Sequence, residues 1–554
     1  MKFKHTVKSF PATYWVVIVF EFFERGAYYG MMSFISVYFT ENLGFAKESV
    51  GLIKGTIQPL LYFLPIISGA LADRFGYRRT LMFAFALLGG GYFLTSQMTT
   101  YGAVFLALVV MGIGAGTFKP IISSSIARTT DKSNSTMGFG IYYWTINLGA
   151  FLFPLILVPW LKNSASFGPK WVIIASAICT GAMLIPTLFI YKEPPRAKEE
   201  DKKPDTNLVQ TLADAFEIIY SPFILIFQYC NRSSSSRTPI YIVTIVLAAV
   251  SLWLFSSTGH FLTFYIVFLF VVAFFIMSIQ GVFNRAAGGL QALILLFTVA
   301  LCGLFWILPQ LSFFARIITS VIYITVLSLF LIDLGDTHKF KDHYHFLLMI
   351  FIYSGFWVLY FQMFDSVLWY VNDYVDASSL DRFVNSIVGR WVTFRFDVEH
   401  VTVINAGTII LLQIAVSSIV KNVKALPTMI TGIALGTIGM AILAISTSIW
   451  VLMLGIIIFS VGEMTAHPKF ISYVGLTAPK NRVATYMGYI FLYGVIGSSI
   501  GAILGANLYV HFVDNLNRPK TLWLIFSGIG VATIIALLLY NKFIASGEKR
   551  NEEF

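Results

Sequence analysis

From about Ala12 to Phe39 the chain is apolar over a length that crosses a bilayer, yet Glu21, Glu24 and Arg25 sit inside that run. Ionised side chains at mid-membrane cost roughly 2.5 to 3.5 kcal/mol each, so the three cost about 8 to 10 kcal/mol if left unpaired. Apolar neighbours return only about 0.3 to 0.6 kcal/mol apiece. Helical spacing eases the conflict. Glu21, Glu24, Arg25, Tyr28 and Met32 lie three or four residues apart, share one face, and bring unlike charges together. That face is expected to look into a wet cavity rather than at lipid. The alternative, a solvated helix end with snorkelling side chains, is disfavoured because apolar residues extend well to both sides of the cluster.

The rest of the 554 residues agrees with a membrane setting. Hydrophobic residues make up 57% and charged residues 12%, and the mean hydropathy is +0.78, which leaves too little polar surface for a water-soluble globule. The net charge of +11 does not point to nucleic acid, because the Lys and Arg residues fall mainly in short loops between apolar spans. Cys179, Cys230 and Cys302 have no metal-ligand spacing and imply neither a disulfide nor a zinc site. The basic start resembles that of a signal peptide, but the span after it is too long, is charged, and lacks a small-residue cleavage site. It is expected to stay as the first helix.

Further apolar spans run at about 50–72, 80–98, 101–126, 137–160 and 170–191, so residues 12–191 read as an N-terminal six-helix bundle. Basic connections at Arg74, Arg78, Arg79, Arg128 and Lys132 place that side, with both termini, in the cytoplasm of a cell-membrane protein. Residues 192–206 are charged and contain three prolines, which marks a linker between halves. Within the block 192–344, residues 207–220 read as an amphipathic helix, and four more spans follow at about 238–256, 261–281, 289–308 and 312–332. Six spans over 345–541 repeat the opening arrangement. The expected fold is all-α and polytopic, with two six-helix bundles, inserted helices between them, and a site where the bundles meet.

Several stretches carry a family resemblance. Glu21-Phe-Phe-Glu-Arg-Gly-Ala-Tyr-Tyr-Gly30 resembles the E-x-x-E-R-x-x-Y-Y-G signature of the proton-dependent oligopeptide transporters, a branch of the major facilitator superfamily. Asp73, Arg74, Gly76, Arg78 and Arg79 resemble that superfamily's D-R-x-G-x-R-R loop, in which a glycine permits a tight turn and the acid pairs with arginines or a helix end. Lys119 closes a glycine-rich stretch of the fourth span and has no local acid. Val461-Gly-Glu463-Met-Thr-Ala-His467-Pro resembles the family's G-E-x-x-x-S-P element, with His467 in the serine place.

The resemblance implies a two-bundle fold and a proton-coupled carrier (symporter) of di- and tripeptides that works by alternating access as a monomer. No cofactor is implied beyond the proton itself. Its expected partners are the small peptide or other small molecule it carries and the lipid bilayer. Glu21, Glu24, Arg25 and Glu463 would couple the proton, and Lys119 with Glu463 would form a gate between the bundles. Tyr28, Tyr29, Tyr62, Asn147, Trp357 and Asn405 would line the substrate cavity. Two departures bear on substrate: Met32 stands where the family has a second carboxylate-binding arginine, and Phe361 where it has an acid for the peptide's amino end. They favour as the alternative a carrier of a non-peptide solute, because charge-assisted bonds are the strong, orienting ones. Asp365, one helical turn past Phe361, is the candidate to restore an acid to that face. A membrane enzyme is disfavoured, since neither a metal-binding acid cluster nor a nucleophile with its base is legible. A passive channel lacks a repeated filter sequence.

Overall fold

The computed structural model describes residues 9–131, 134–164, 166–194, 343–391, 393–420, 423–477 and 489–542. The amphipathic stretch and the four spans expected between the bundles lie outside them. The first half holds helices α1 (Ala12–Met32), α2 (Lys47–Phe75), α3 (Tyr77–Gln97), α4 (Tyr101–Thr129), α5 (Ser135–Leu152) and α6 (Pro169–Gly181). The second holds α7 (His343–Phe361), α8 (His400–Val420), α9 (Ala425–Leu443), α10 (Ile449–Thr477), α11 (Leu492–Tyr509) and α12 (Pro519–Tyr540). Among the described residues, nine helical spans are long and apolar enough to cross a membrane. α1 is not one of them, because its three mid-helix charges interrupt the apolar run. Outward-facing residues such as Leu411 and Ile414 of α8, each 80% exposed, form the kind of apolar surface that lipid covers.

Several spans change pitch along their length. α1 ends at Met32 and resumes as Ile35–Val37 and a π-helical turn, Tyr38–Asn42. α5 continues through a π turn at Phe153–Leu157, which contains Pro154, into Val158–Lys162. α7 is broken by the 3-10 turn Gln362–Phe364 before helix resumes at Ser366–Tyr374. Proline and wide turns open the hydrogen-bond ladder and so redirect the side chains that follow.

The described residues on either side of the middle block pack as one unit. Between the halves α2 lies against α11 and α5 against α8. Within the first half, α1 crosses α5 at Gly26 and Gly149, where a Cβ on Gly149 would stand 2.8 Å from the Phe22 carbonyl oxygen. This close approach seats the charged stretch of α1 against the neighbouring helix. The end of the bundles at which α1 begins is called the near end here, and the opposite end the far end.

Candidate functional site

Arg25 is the centre of the α1 cluster. Its guanidinium donates two hydrogen bonds to Glu24, Nε to Oε2 at 2.5 Å and Nη2 to Oε1 at 2.7 Å, and its Nε lies 3.7 Å from Glu21 Oε1. All three side chains are buried. A bidentate bond of this kind holds the guanidinium plane in place. The Tyr28 ring packs 5.0 Å from the guanidinium carbon.

A cavity of about 500 Å³ lies between the two halves, within the range of small-molecule sites. α1 contributes Glu21, Arg25 and Tyr29 to it, residues at i, i+4 and i+8 and therefore on one narrow stripe. Tyr62, Lys119 and Asn147 complete the first-half wall, while Trp357, Asn405, Glu463 and His467 belong to the second. The expectation for Tyr28 is corrected. Tyr28 and Met32 line a separate small apolar pocket with Leu108 and Met111, and Glu24 stands behind Arg25 rather than on the cavity wall. The five-residue face is an arc, and the cavity sees only one edge of it.

Lys119 and Glu463 share this cavity but make no ion pair with one another. The Lys119 ammonium sits 4.4 Å from the centre of the Tyr62 ring, a cation-π contact. Glu463 Oε2 accepts a hydrogen bond from Asn405 Nδ2 at 3.1 Å, and the same amide donates to Ser460 Oγ at 2.9 Å. Asn147 Nδ2 is held by the Tyr143 carbonyl oxygen at 3.0 Å. The cavity thus carries two cations, Arg25 and Lys119, together with the acid Glu21 on its first-half wall and the acid Glu463 on the opposite wall.

At the far end, lysines of the first half reach acids of the second. Lys54, buried in α2, pairs with Asp365 and donates to Ser36 Oγ at 2.9 Å and the Phe364 carbonyl oxygen at 2.6 Å. Asp365 does not extend the Phe361 face into the cavity, because the 3-10 turn at Gln362–Phe364 rotates it toward α2. Phe361 itself is buried beside Tyr62 and Trp357. Lys47 reaches Asp373 Oδ2 at 3.2 Å and Asp514 Oδ1 at 3.0 Å. Lys162 reaches Asp397 Oδ2 at 2.8 Å and Glu399 Oε2 at 2.9 Å. Burial pushes the Glu399 carboxyl above the ordinary carboxylate range, with Lys162 opposing the shift. Asp397, also subject to burial, is held below its ordinary range by Lys162.

Lys54, Lys47, Lys162 and Glu399 were not picked out from sequence. Lys54 carried a usable signal, a lone cation inside an apolar span. The others lie at span ends, where charges are commonplace.

The loop between α2 and α3 turns on Gly76, whose φ of +92° is open to glycine and strained for other residues. Arg78 Nε donates to the Thr187 carbonyl oxygen at 3.1 Å, and its Nη2 donates to that of Leu188. The carboxylate of Glu193 accepts from the Tyr77 backbone N–H at the start of α3. Arg79 is exposed, and Asp73 and Arg74 are described here by their backbone only.

The sequence profile of the Major Facilitator Superfamily matches residues 15–389 and 395–553. Among curated proteins, the chain is 31% identical over 192 residues to dipeptide and tripeptide permease B of Aliivibrio fischeri (strain MJ11), covering 34% of this chain and 37% of the relative. It is 27% identical over 199 residues to dipeptide and tripeptide permease A of Escherichia coli (strain K12), covering 35% and 39%. The matches thus span less than half of these relatives' length. Among solved structures, the POT family transporter PepTSo superposes with a TM-score of 0.67 at 15% identity, covering 98% of this chain and 99% of that one. A peptide transporter POT in complex with sulfate gives 0.60 at 19% identity, covering 97% and 95%. The chain belongs to the Major Facilitator Superfamily.

Proposed function

We propose that this protein is a proton-coupled symporter of di- and tripeptides that works by alternating access as a monomer in the cell membrane, with its near end and both termini in the cytoplasm. The observation that carries the reading is the charge pattern of the cavity, with Arg25 and Lys119 beside Glu21 on one half and Glu463 on the other. A peptide zwitterion matches it, its carboxylate toward the cations and its ammonium toward Glu463. Opposite charges on opposite walls also favour a peptide over a singly charged solute, despite Met32 and Phe361. The names of the curated relatives support the same reading.

The conformation described here is the one open to the cytoplasm in this reading, with the far end held shut by Lys47, Lys54 and Lys162. A proton passing between the Glu21, Glu24 and Arg25 cluster and Glu463 changes which acid Lys119 faces. Once Lys119 leaves Tyr62 for Glu463, the two halves close on the near end. The test is uptake of labelled Ala-Ala into proteoliposomes under an imposed inward proton gradient. Accumulation that collapses when the gradient is dissipated, and is lost in Glu24→Gln and Lys119→Ala, is the expected result. Equal uptake with and without the gradient overturns proton coupling, and no peptide uptake overturns the substrate.

A further inference from the structure

His467 stands on the second-half wall of the cavity, one turn of α10 from Glu463 toward the near end. Its Nδ1 lies 3.3 Å from the Tyr353 hydroxyl, and among the described residues no hydrogen bond engages Nε2. The Trp357 and Tyr493 rings flank the imidazole edge-on, with centres 5.2 and 5.4 Å away. Tyr353 is itself stacked on Phe470 at 4.0 Å, so the residue that holds Nδ1 is fixed from behind. Trp357, 4% exposed, is also on the cavity wall, with its indole N–H buried. The wall beside Glu463 therefore presents the His467 Nε2, which has no hydrogen-bond partner among the described residues.

We infer that His467 Nε2 is the subsite for a hydrogen-bond acceptor on the transported molecule, the carbonyl next to its amino group, and that His467 is a specificity-determining residue. The inference rests on the reading above in which Glu463 holds the substrate ammonium. Glu463 and His467, four residues apart, are separated by about 6 Å along the helix axis and share a face. A molecule anchored by its ammonium at Glu463 brings its next polar group alongside the imidazole. To receive a carbonyl, His467 carries its proton on Nε2, and the Tyr353 hydroxyl then donates to Nδ1. A solute with the same charged ends but no carbonyl leaves the imidazole N–H unmatched, and a site built to hydrogen-bond a group discriminates against analogues that lack it.

Two probes isolate that group. 5-Amino-4-oxopentanoate and 5-aminopentanoate have the same charged ends and differ by one carbonyl. In competition with labelled Ala-Ala, the oxo compound is expected to act at about tenfold lower concentration on the wild type, the worth of one such hydrogen bond. His467→Ala should bring the ratio toward one, while His467→Gln, which keeps an amide N–H near the Nε2 position, should retain most of it. A wild-type ratio in His467→Ala overturns the subsite even if Ala-Ala uptake is intact. Equal loss of thermal stability in the Ala and Gln variants, with no selective change in the ratio, also overturns it, since that pattern is structural. Should the wild type carry no Ala-Ala, the proposed function fails. Thermal-shift binding of the two probes to the purified protein then decides the subsite separately: protection by the oxo compound alone upholds it, and equal protection or none overturns it.

Discussion

Lys119 and Glu463 face one cavity from opposite halves of the molecule without touching, the lysine resting over Tyr62 and the glutamate taking a hydrogen bond from Asn405. Each has a substitute partner, so the cavity stays open without leaving either charge isolated. A switch needs such bistability, in which two arrangements of one set of groups differ by only a few kcal/mol.

In the resting protein this pair should therefore contribute little coupling to stability. A double-mutant cycle on Lys119→Ala and Glu463→Gln, read by denaturation of the purified protein, is expected to give an interaction energy below about 0.5 kcal/mol. In gradient-driven uptake the two should instead be strongly non-additive, each single substitution removing as much transport as the pair. A large stability coupling would mean that the two are already bonded.

Lys54 and Asp365 present the opposite case. The pair is buried, and among the described residues Asp365 Oδ2 has no hydrogen-bond partner. Lys54→Met or Asp365→Asn should each destabilise the fold by about 3 to 5 kcal/mol, because the remaining charge or polar group is left without its mate. The double change Lys54→Met with Asp365→Leu should recover most of that loss in the same melting experiment. Additive damage would show that packing at Ser36 and Phe364, rather than the charge pair, governs the site.

The Lys162 site predicts a pH dependence. Glu399 has its carboxyl raised by burial. A raised folded-state value favours the fold at low pH, and that contribution is lost as pH rises through the folded value, above the ordinary glutamate range of about 4.3. Lys162 limits the loss. Lys162→Ala should therefore melt close to the wild type in mildly acidic buffer and fall increasingly below it toward neutral pH, and adding Glu399→Gln should flatten the difference. A gap independent of pH would remove Glu399 from the explanation.

The crossing of α1 and α5 can be probed without touching a charge. A methyl group at Gly149 meets the Phe22 carbonyl oxygen at 2.8 Å and the Gly26 nitrogen at 2.9 Å, both backbone atoms. Gly149→Ala should cost about 1 to 3 kcal/mol and displace Glu21 and Arg25 from the cavity wall, reducing uptake along with the melting temperature. At Gly26 the obstacle is the Phe153 side chain, 2.4 Å from an added Cβ. Gly26→Ala should accordingly be rescued in part by Phe153→Ala, whereas Gly149→Ala should not.

Helix number and order in the two halves were legible from the chain, because a bilayer demands apolar runs of a given length and charges interrupt them only for a reason. Glu21 and Arg25 were legible for the same reason: charges placed in an apolar span need partners and a wet face, whatever surrounds them. Tertiary structure alone decided which edge of that face meets the cavity, putting Tyr29 there and Tyr28 behind, since a helical arc does not say where its neighbours lie. It also decided that Asp365 turns away to Lys54, a consequence of three residues of 3-10 helix that spacing does not announce. The partners of Lys119, Lys162 and Glu463 are distant along the chain: packing within each half brings Tyr62 to Lys119 and Asn405 to Glu463, and packing of the two halves brings Asp397 and Glu399 to Lys162.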